Sequence, residues 1–195
     1  GSMYRAITLY CIENNLFLTD NQPNEELIIR YLPDIDVNFE YHIDSHTSLT
    51  YLNGDNVEDK IRGIEVSGSV SLISRVPAVR KKLIELQQNI AREKNIVMDG
   101  RDIGSVVFPN ADVKFYLDAS LDKRSERRWI ELQKIEEVSL DDVKKDLHKR
   151  DLKDLNREFS PLVKPKNSIT INSDNLSIDQ VVDNMIKIID KVLHS

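Results

Sequence analysis

Asn95-Ile-Val-Met-Asp-Gly-Arg-Asp102, read together with Val113-Lys-Phe-Tyr-Leu117 and Ser168-Ile-Thr-Ile171, decides the fold class. Each stretch carries a short apolar run of strand length, and helical spacing fills much of the chain between the last two. Ser120-Leu-Asp-Lys opens a helix from Leu121 to about Lys134, and a second, highly charged helix starts at Ser139. Short apolar runs alternating with helices mark an α/β fold with a parallel sheet flanked by helices. Asn95 to Met98 is expected to be a short buried strand that delivers Asp99-Gly-Arg-Asp102 at its carboxyl end. Beyond the last strand, Ser177 caps a final amphipathic helix. Its buried stripe is predicted to be Ile178, Val181, Val182, Met185, Ile188, Ile189 and Val192.

The first half reads differently. Met3 to about Leu16 is apolar enough for a buried helix ending at Asn14-Asn15, and Asn24 to Leu32 predicts a second helix stopped by Pro33. The period then changes to two. Val37, Phe39, Tyr41 and Ile43 alternate with polar residues, and Leu49 and Tyr51 repeat the pattern before Asn53-Gly54, which predicts a hairpin or small meander. From Val57 to Lys94 the spacing is helical again, with Pro77 opening a second helix where its missing N–H costs nothing. Leu83, Leu86, Ile90 and Ile96 belong to its apolar side or to the following strand.

Composition bounds the function. A chain of 195 residues with 40% hydrophobic and 31% charged residues fits a single domain and opposes disorder. A net charge of −6 argues against a general binder of nucleic acid or of acidic membranes. No apolar run is long enough to span a bilayer. One cysteine, Cys11, placed in an apolar run, cannot form an internal disulfide, which predicts a core residue and a cytoplasmic location. Gly1-Ser2 reads as an expression scar. Six Gly plus six Pro is about half of average usage. No two glycines precede a Lys-Ser or Lys-Thr at the spacing of a phosphate-cradling GxxxxGKS or GxxxxGKT loop.

Three basic-acidic clusters remain. Asp99-Gly100-Arg101-Asp102 sits at a strand end, where open α/β sheets bind ligands, and Gly100 permits close backbone approach; a local Asp–Arg turn accounts for it equally well. Arg150, Asp154 and Arg157 would share one helix face, two planar donor forks around one carboxylate, suited to phosphate oxygens and a sugar hydroxyl. A solvated, salt-bridged helix surface explains them too. Arg124, Arg127 and Arg128 carry the same ambiguity, while Arg75 and Arg80 frame Pro77 after Ser67, Ser69, Ser71 and Ser74. The four histidines show no metal-ligand spacing, so no metal site is expected. Trp129 reads as packing rather than base stacking.

Taken in order, these segments resemble a known family. Tyr4-Arg-Ala6, Glu65-Val-Ser67, Pro77-Ala-Val-Arg80, Met98-Asp-Gly-Arg-Asp-Ile-Gly-Ser-Val-Val-Phe-Pro109, Lys114-Phe-Tyr-Leu-Asp-Ala-Ser120 and Arg150-Asp-Leu-Lys-Asp154 with Asn156-Arg157 are similar to the bacterial cytidylate kinases. The match covers residues 3–195 as one domain. It implies a P-loop-kinase-like parallel sheet, a monophosphate-binding insert over residues 36–94, and a helical lid over 129–160. The implied reaction moves the terminal phosphoryl group of ATP, with Mg2+, to CMP or dCMP. By the same resemblance, Ser71, Arg80 and Asp102 read the cytosine, Arg5, Arg101 and Arg157 clamp the acceptor phosphate, and Asp154 contacts the sugar. Arg150 reaches the transferring phosphates from the lid, with Arg124 and Arg128 as companions.

One departure accompanies the resemblance. In that family a strand, a glycine-rich P-loop with its lysine and a helix precede the Tyr-Arg-Ala segment, whereas here Met3 stands almost directly before it. The expectation is an N-terminally incomplete chain without its first strand and donor-phosphate loop, weakly active or inactive. It would be a family-like monomer, or self-associating through the gap in its sheet. A non-catalytic nucleotide-binding or regulatory protein that keeps only the CMP pocket is the alternative.

Overall fold

The computed structural model describes residues 1–44, 47–92, 95–134, 137–156 and 161–194. The chain divides into two compact units, Gly1–Ile96 and Val97–Ser195.

In the first unit, α1 (Ser2–Glu13) forms the centre, with Met3, Ala6, Ile7, Thr8, Leu9 and Cys11 all buried. Burial on nearly every side of so short a helix follows from its apolar composition. The helix ends where the two asparagines predicted it would: Asn15 takes a left-handed φ of 53° and the Leu16 N–H closes onto the Cys11 carbonyl at 2.8 Å, a turn that asparagine tolerates. α2 (Glu25–Tyr31) is capped by the Asn24 side chain, which accepts from the Leu27 N–H. Pro33 then sits in a single 3-10 turn, Leu32–Asp34.

Strands β1 (Val37–His42), β2 (Thr47–Leu52) and β3 (Asp55–Asn56) make an antiparallel meander. Asn53 and Gly54 both have positive φ, 51° and 90°, as a tight hairpin link requires. The register corrects the expected face of β2. Val37 opposes Leu52 and Phe39 opposes Thr50, so Leu52 and Thr50 are buried, while Leu49 and Tyr51 stand on the other face, half-buried. Exposure along β1 climbs from Val37 at 0% to Tyr41 at 62%, because the hairpin extends past the core.

Helices α3 (Ile64–Ile73) and α4 (Pro77–Ala91) complete this unit. Pro77 opens α4 as its sequence position predicts. Val66, Ile73, Val76, Val79 and Leu83 join α1, Ile28, Val37, Leu52 and Ile61 in one apolar cluster. Each such side chain contributes about 1.5–3 kcal/mol by leaving water.

The second unit is α/β. β4 (Phe115–Asp118) and β5 (Ile169–Asn172) pair in parallel, Phe115 with Ile169 and Leu117 with Ile171. They are joined through α5 (Leu121–Leu132) and α6 (Leu140–Leu155), which pack together and are capped by Ser120 and Ser139. This mixed arrangement is consistent with a P-loop-kinase-like fold. α7 (Ile178–Leu193) opens with a full capping box between Ser177 and Gln180.

Two expectations fail here. Residues 95–98 form no strand, and Val97 is wholly exposed. A three-residue apolar run becomes a strand only beside a neighbour that completes its ladder, and among the described residues it has none. The predicted stripe of α7 is not buried either. Val181, Met185, Ile188 and Ile189 are half-covered, whereas Ile178, Val182 and Val192 are exposed at 82%, 44% and 45%. Amphipathic spacing orders the apolar side chains along one face; covering that face takes a neighbouring surface of matching size.

Candidate functional site

The candidate residues of the first unit hang on α1, α3 and α4. Arg5 projects from α1, and its Nη1 donates to the buried Ile61 carbonyl at 3.0 Å and to the Ser67 hydroxyl of α3 at 2.8 Å. Glu58, three positions before Ile61, ties this segment to β2 and to Arg62. The Glu58 carboxylate accepts from the Thr50 hydroxyl at 2.8 Å and the Thr50 N–H at 3.2 Å, and takes Nε of Arg62 at 3.0 Å. Partial burial opposes its ionisation, yet the bonds from Thr50 and Arg62 prevail and hold the Glu58 carboxyl below its ordinary value. Arg80, in the first turn of α4, is 4% exposed. Its Nη1 donates to the Ser74 carbonyl at 3.0 Å and its guanidinium carbon lies over the Tyr4 ring. The Ser74 hydroxyl in turn donates to the Ser71 carbonyl at 3.1 Å. Ser67 and Ser71 fall at i and i+4 on one face of α3, where both are exposed.

In the second unit, Asp102 is 7% exposed at the entrance to a π-helical turn, Ile103–Val107. Its carbonyl accepts from the N–H groups of both Val106 and Val107, at 2.9 and 3.2 Å. Gly100 precedes this turn, and a Cβ there would stand 2.7 Å from Cγ1 of Ile103. Gly100 thus makes room for the following side chain.

Arg101 points to α6. Its Nε lies 3.4 Å from Oδ2 of Asp154, and its Nη1 lies 3.9 Å from Oδ1 of Asp151. Arg124, on α5, donates from Nη1 to Oδ2 of Asp151 at 2.6 Å and from Nε to the Ala119 carbonyl at 3.1 Å. Two guanidinium groups from different elements therefore meet two carboxylates spaced i, i+3 on one helix. Asp154 is 2% exposed, and a carboxylate that deep needs a cation beside it. The backbone reinforces the position, since the Asp154 carbonyl accepts from the Leu162 N–H at 2.8 Å.

The other predicted residues are placed unequally. Arg150 is exposed one turn before Asp154. Arg128 is exposed on α5 and pairs with Glu131 at 3.0 Å. Arg157 lies outside the described residues. α6 ends at Leu155 with Asn156 as its cap. Among the described residues, Arg101 and Arg124 flank Asp154 and Asp151. Asp151 went unassigned in the sequence; its one available signal was the three-residue spacing to Asp154 within Arg150-Asp-Leu-Lys-Asp154. Trp129 is half-buried, with its indole N–H donating to the Val138 carbonyl at 2.9 Å, a packing role as expected. Among the described residues no helix is long and apolar enough to cross a membrane.

Comparison with known proteins places the chain as a whole. The cytidylate kinase family profile matches residues 1–191. A cytidylate kinase of Flavobacterium johnsoniae is 42% identical over 194 residues, 99% of this chain and 84% of the relative. One from Flavobacterium psychrophilum is 43% identical, covering 92% of this chain and 80% of the relative. One from Bacteroides fragilis is 42% identical, covering 91% and 78%. All three bear the kinase name, so the matches lend no support to the expected weak activity, incomplete donor site or regulatory role. A nucleoside monophosphate kinase function follows from matches of this extent. The chain belongs to the cytidylate kinase family, and with it to the phosphotransferases.

Proposed function

We propose that the chain transfers the terminal phosphoryl group of ATP to CMP or dCMP. An oxygen of the acceptor phosphate bonds to the γ-phosphorus, and the bond from that phosphorus to the oxygen of departing ADP breaks. One observation carries this function: Arg101 and Arg124 are anchored on Asp151 and Asp154 of a single helix. Phosphoryl transfer depends mainly on positioned positive charge, and an anchored guanidinium is ordered before the substrate arrives. Arg5, Arg101 and Arg157 then take the acceptor phosphate, and Asp154 accepts from a sugar hydroxyl. Asp102 accepts from the exocyclic amine of cytosine, with Ser71 and Arg80 completing the base contacts. Arg150, Arg124 and Arg128 meet the charge on the transferring group, residues 129–160 serving as the lid and residues 36–94 as the acceptor-binding insert. Magnesium enters with ATP as part of the substrate.

The test is a coupled ADP-release assay with MgATP and, separately, CMP, dCMP, UMP and AMP. Turnover with CMP or dCMP at least tenfold above UMP and AMP is the expected result. Equal rates with all four, or release with none, refutes the assignment.

A further inference from the structure

We infer that Asp151 is a positioning residue that sets the two guanidinium groups of Arg101 and Arg124 relative to one another. Its carboxylate is the group that touches both: Oδ2 accepts from Arg124 at 2.6 Å, and Oδ1 lies 3.9 Å from Nη1 of Arg101. The side chain of Asp151 is 18% exposed, whereas those of Arg101 and Arg124 are 39% and 36% exposed. The anion thus sits behind, and the two cations present surface to solvent, each with a five-donor fork of which part is turned toward α6. Arg101 follows a loop and Arg124 belongs to α5. Two like charges brought together from separate elements repel unless an anion lies between them, and Asp151 supplies it. Asp154 adds a second carboxylate beside Arg101.

This role rests on the acceptor-binding function proposed above, with Arg101 on the CMP phosphate, and it makes a demand that a purely structural carboxylate would not. Loss of Asp151 must weaken a ligand that carries the phosphate and spare the one that lacks it. Calorimetric titration of the full chain with CMP and with cytidine reads this directly, for the wild type, Asp151→Asn and Asp151→Glu. Asp151→Asn is expected to bind CMP about five- to tenfold more weakly and cytidine unchanged. Asp151→Glu, which keeps the charge, is expected within about threefold of wild type for CMP. An equal loss for both ligands, or an Asp151→Asn chain that does not fold, makes Asp151 structural and overturns the inference. Unchanged or tighter CMP binding by Asp151→Asn also overturns it, the latter by showing a carboxylate that competes with phosphate. A wild type that does not prefer CMP to cytidine refutes the acceptor-binding function itself, a distinct result visible before any variant is compared.

Discussion

The guanidinium carbon of Arg80 stands 5.5 Å from the centre of the Tyr4 ring, while Nη1 of the same side chain donates to the Ser74 carbonyl at 3.0 Å. One buried cation thereby ties the start of α4 to α1 and to the end of α3. Replacing it removes both interactions at once. Arg80→Ala is expected to cost about 2–4 kcal/mol and Arg80→Lys about 1–2 kcal/mol, since lysine keeps the charge but loses the fork. Tyr4→Leu isolates the ring contribution at about 0.5–1 kcal/mol. Urea unfolding followed by circular dichroism measures all three, and an Arg80→Ala loss below that of Tyr4→Leu would contradict the arrangement.

Glu58 makes the first unit sensitive to acid. Its carboxyl is held below the ordinary 4.5 by Thr50 and Arg62 against the opposing effect of burial. A depressed folded pKa adds stability that is complete above the unfolded value and disappears as pH falls through the folded one. The melting temperature is expected to drop as pH falls below about 5, and Glu58→Gln should flatten part of that drop while lowering stability at pH 7. Identical pH slopes for the two proteins would remove Glu58 from the account.

Cys11 is fully buried, and burial pushes its thiol up to about 12. The thiolate is the reactive species, so at pH 8 the folded chain should label with a disulfide reagent at least a hundredfold more slowly than in 6 M guanidinium, where one thiol per chain reacts. Stopped-flow absorbance follows both. Comparable rates would place Cys11 at the surface.

Gly104 is closed in by Pro165 and Lys114. A Cβ there would lie 3.0 Å from Cγ of Pro165 and 3.3 Å from Cδ of Lys114, contacts that a neighbour can relieve only by shifting. Gly104→Ala is expected to destabilise by about 1 kcal/mol and Gly104→Val by about 2–3 kcal/mol, read as urea midpoints. A stabilised alanine variant would show that Pro165 gives way freely.

Local chemistry was legible wherever a residue acts on its own backbone. Asn24, Ser120, Ser139 and Ser177 each cap the helix they precede, Pro77 opens α4, and Asn53-Gly54 turns the chain. What depended on a distant neighbour was not. Residues 95–98 have the composition of a strand but no partner among the described residues, and the face of β2 that turns inward is decided by its pairing with β1. The same limit applies to the site. Arg101, Asp102 and Asp154 were identified through a resemblance, yet Asp151 acquires meaning only when Arg124, 27 positions earlier, folds onto it.

The turn at Ile103–Val107 has a final consequence. Its N–H groups reach back five residues, Val107 to Asp102 at 3.2 Å and Phe108 to Ile103 at 2.7 Å, one more than an α-helical turn spans. The surplus residue works as a phase shifter. Deleting one position from this turn would let it relax to the α-helical repeat and swing everything on one side by roughly 100° about the local axis. Asp102 and Arg101 would then leave their present bearings even though no residue of the constellation had been replaced. The aim of the site is therefore encoded in a length, and a deletion scan of this turn would find positions where chain count matters more than side-chain identity.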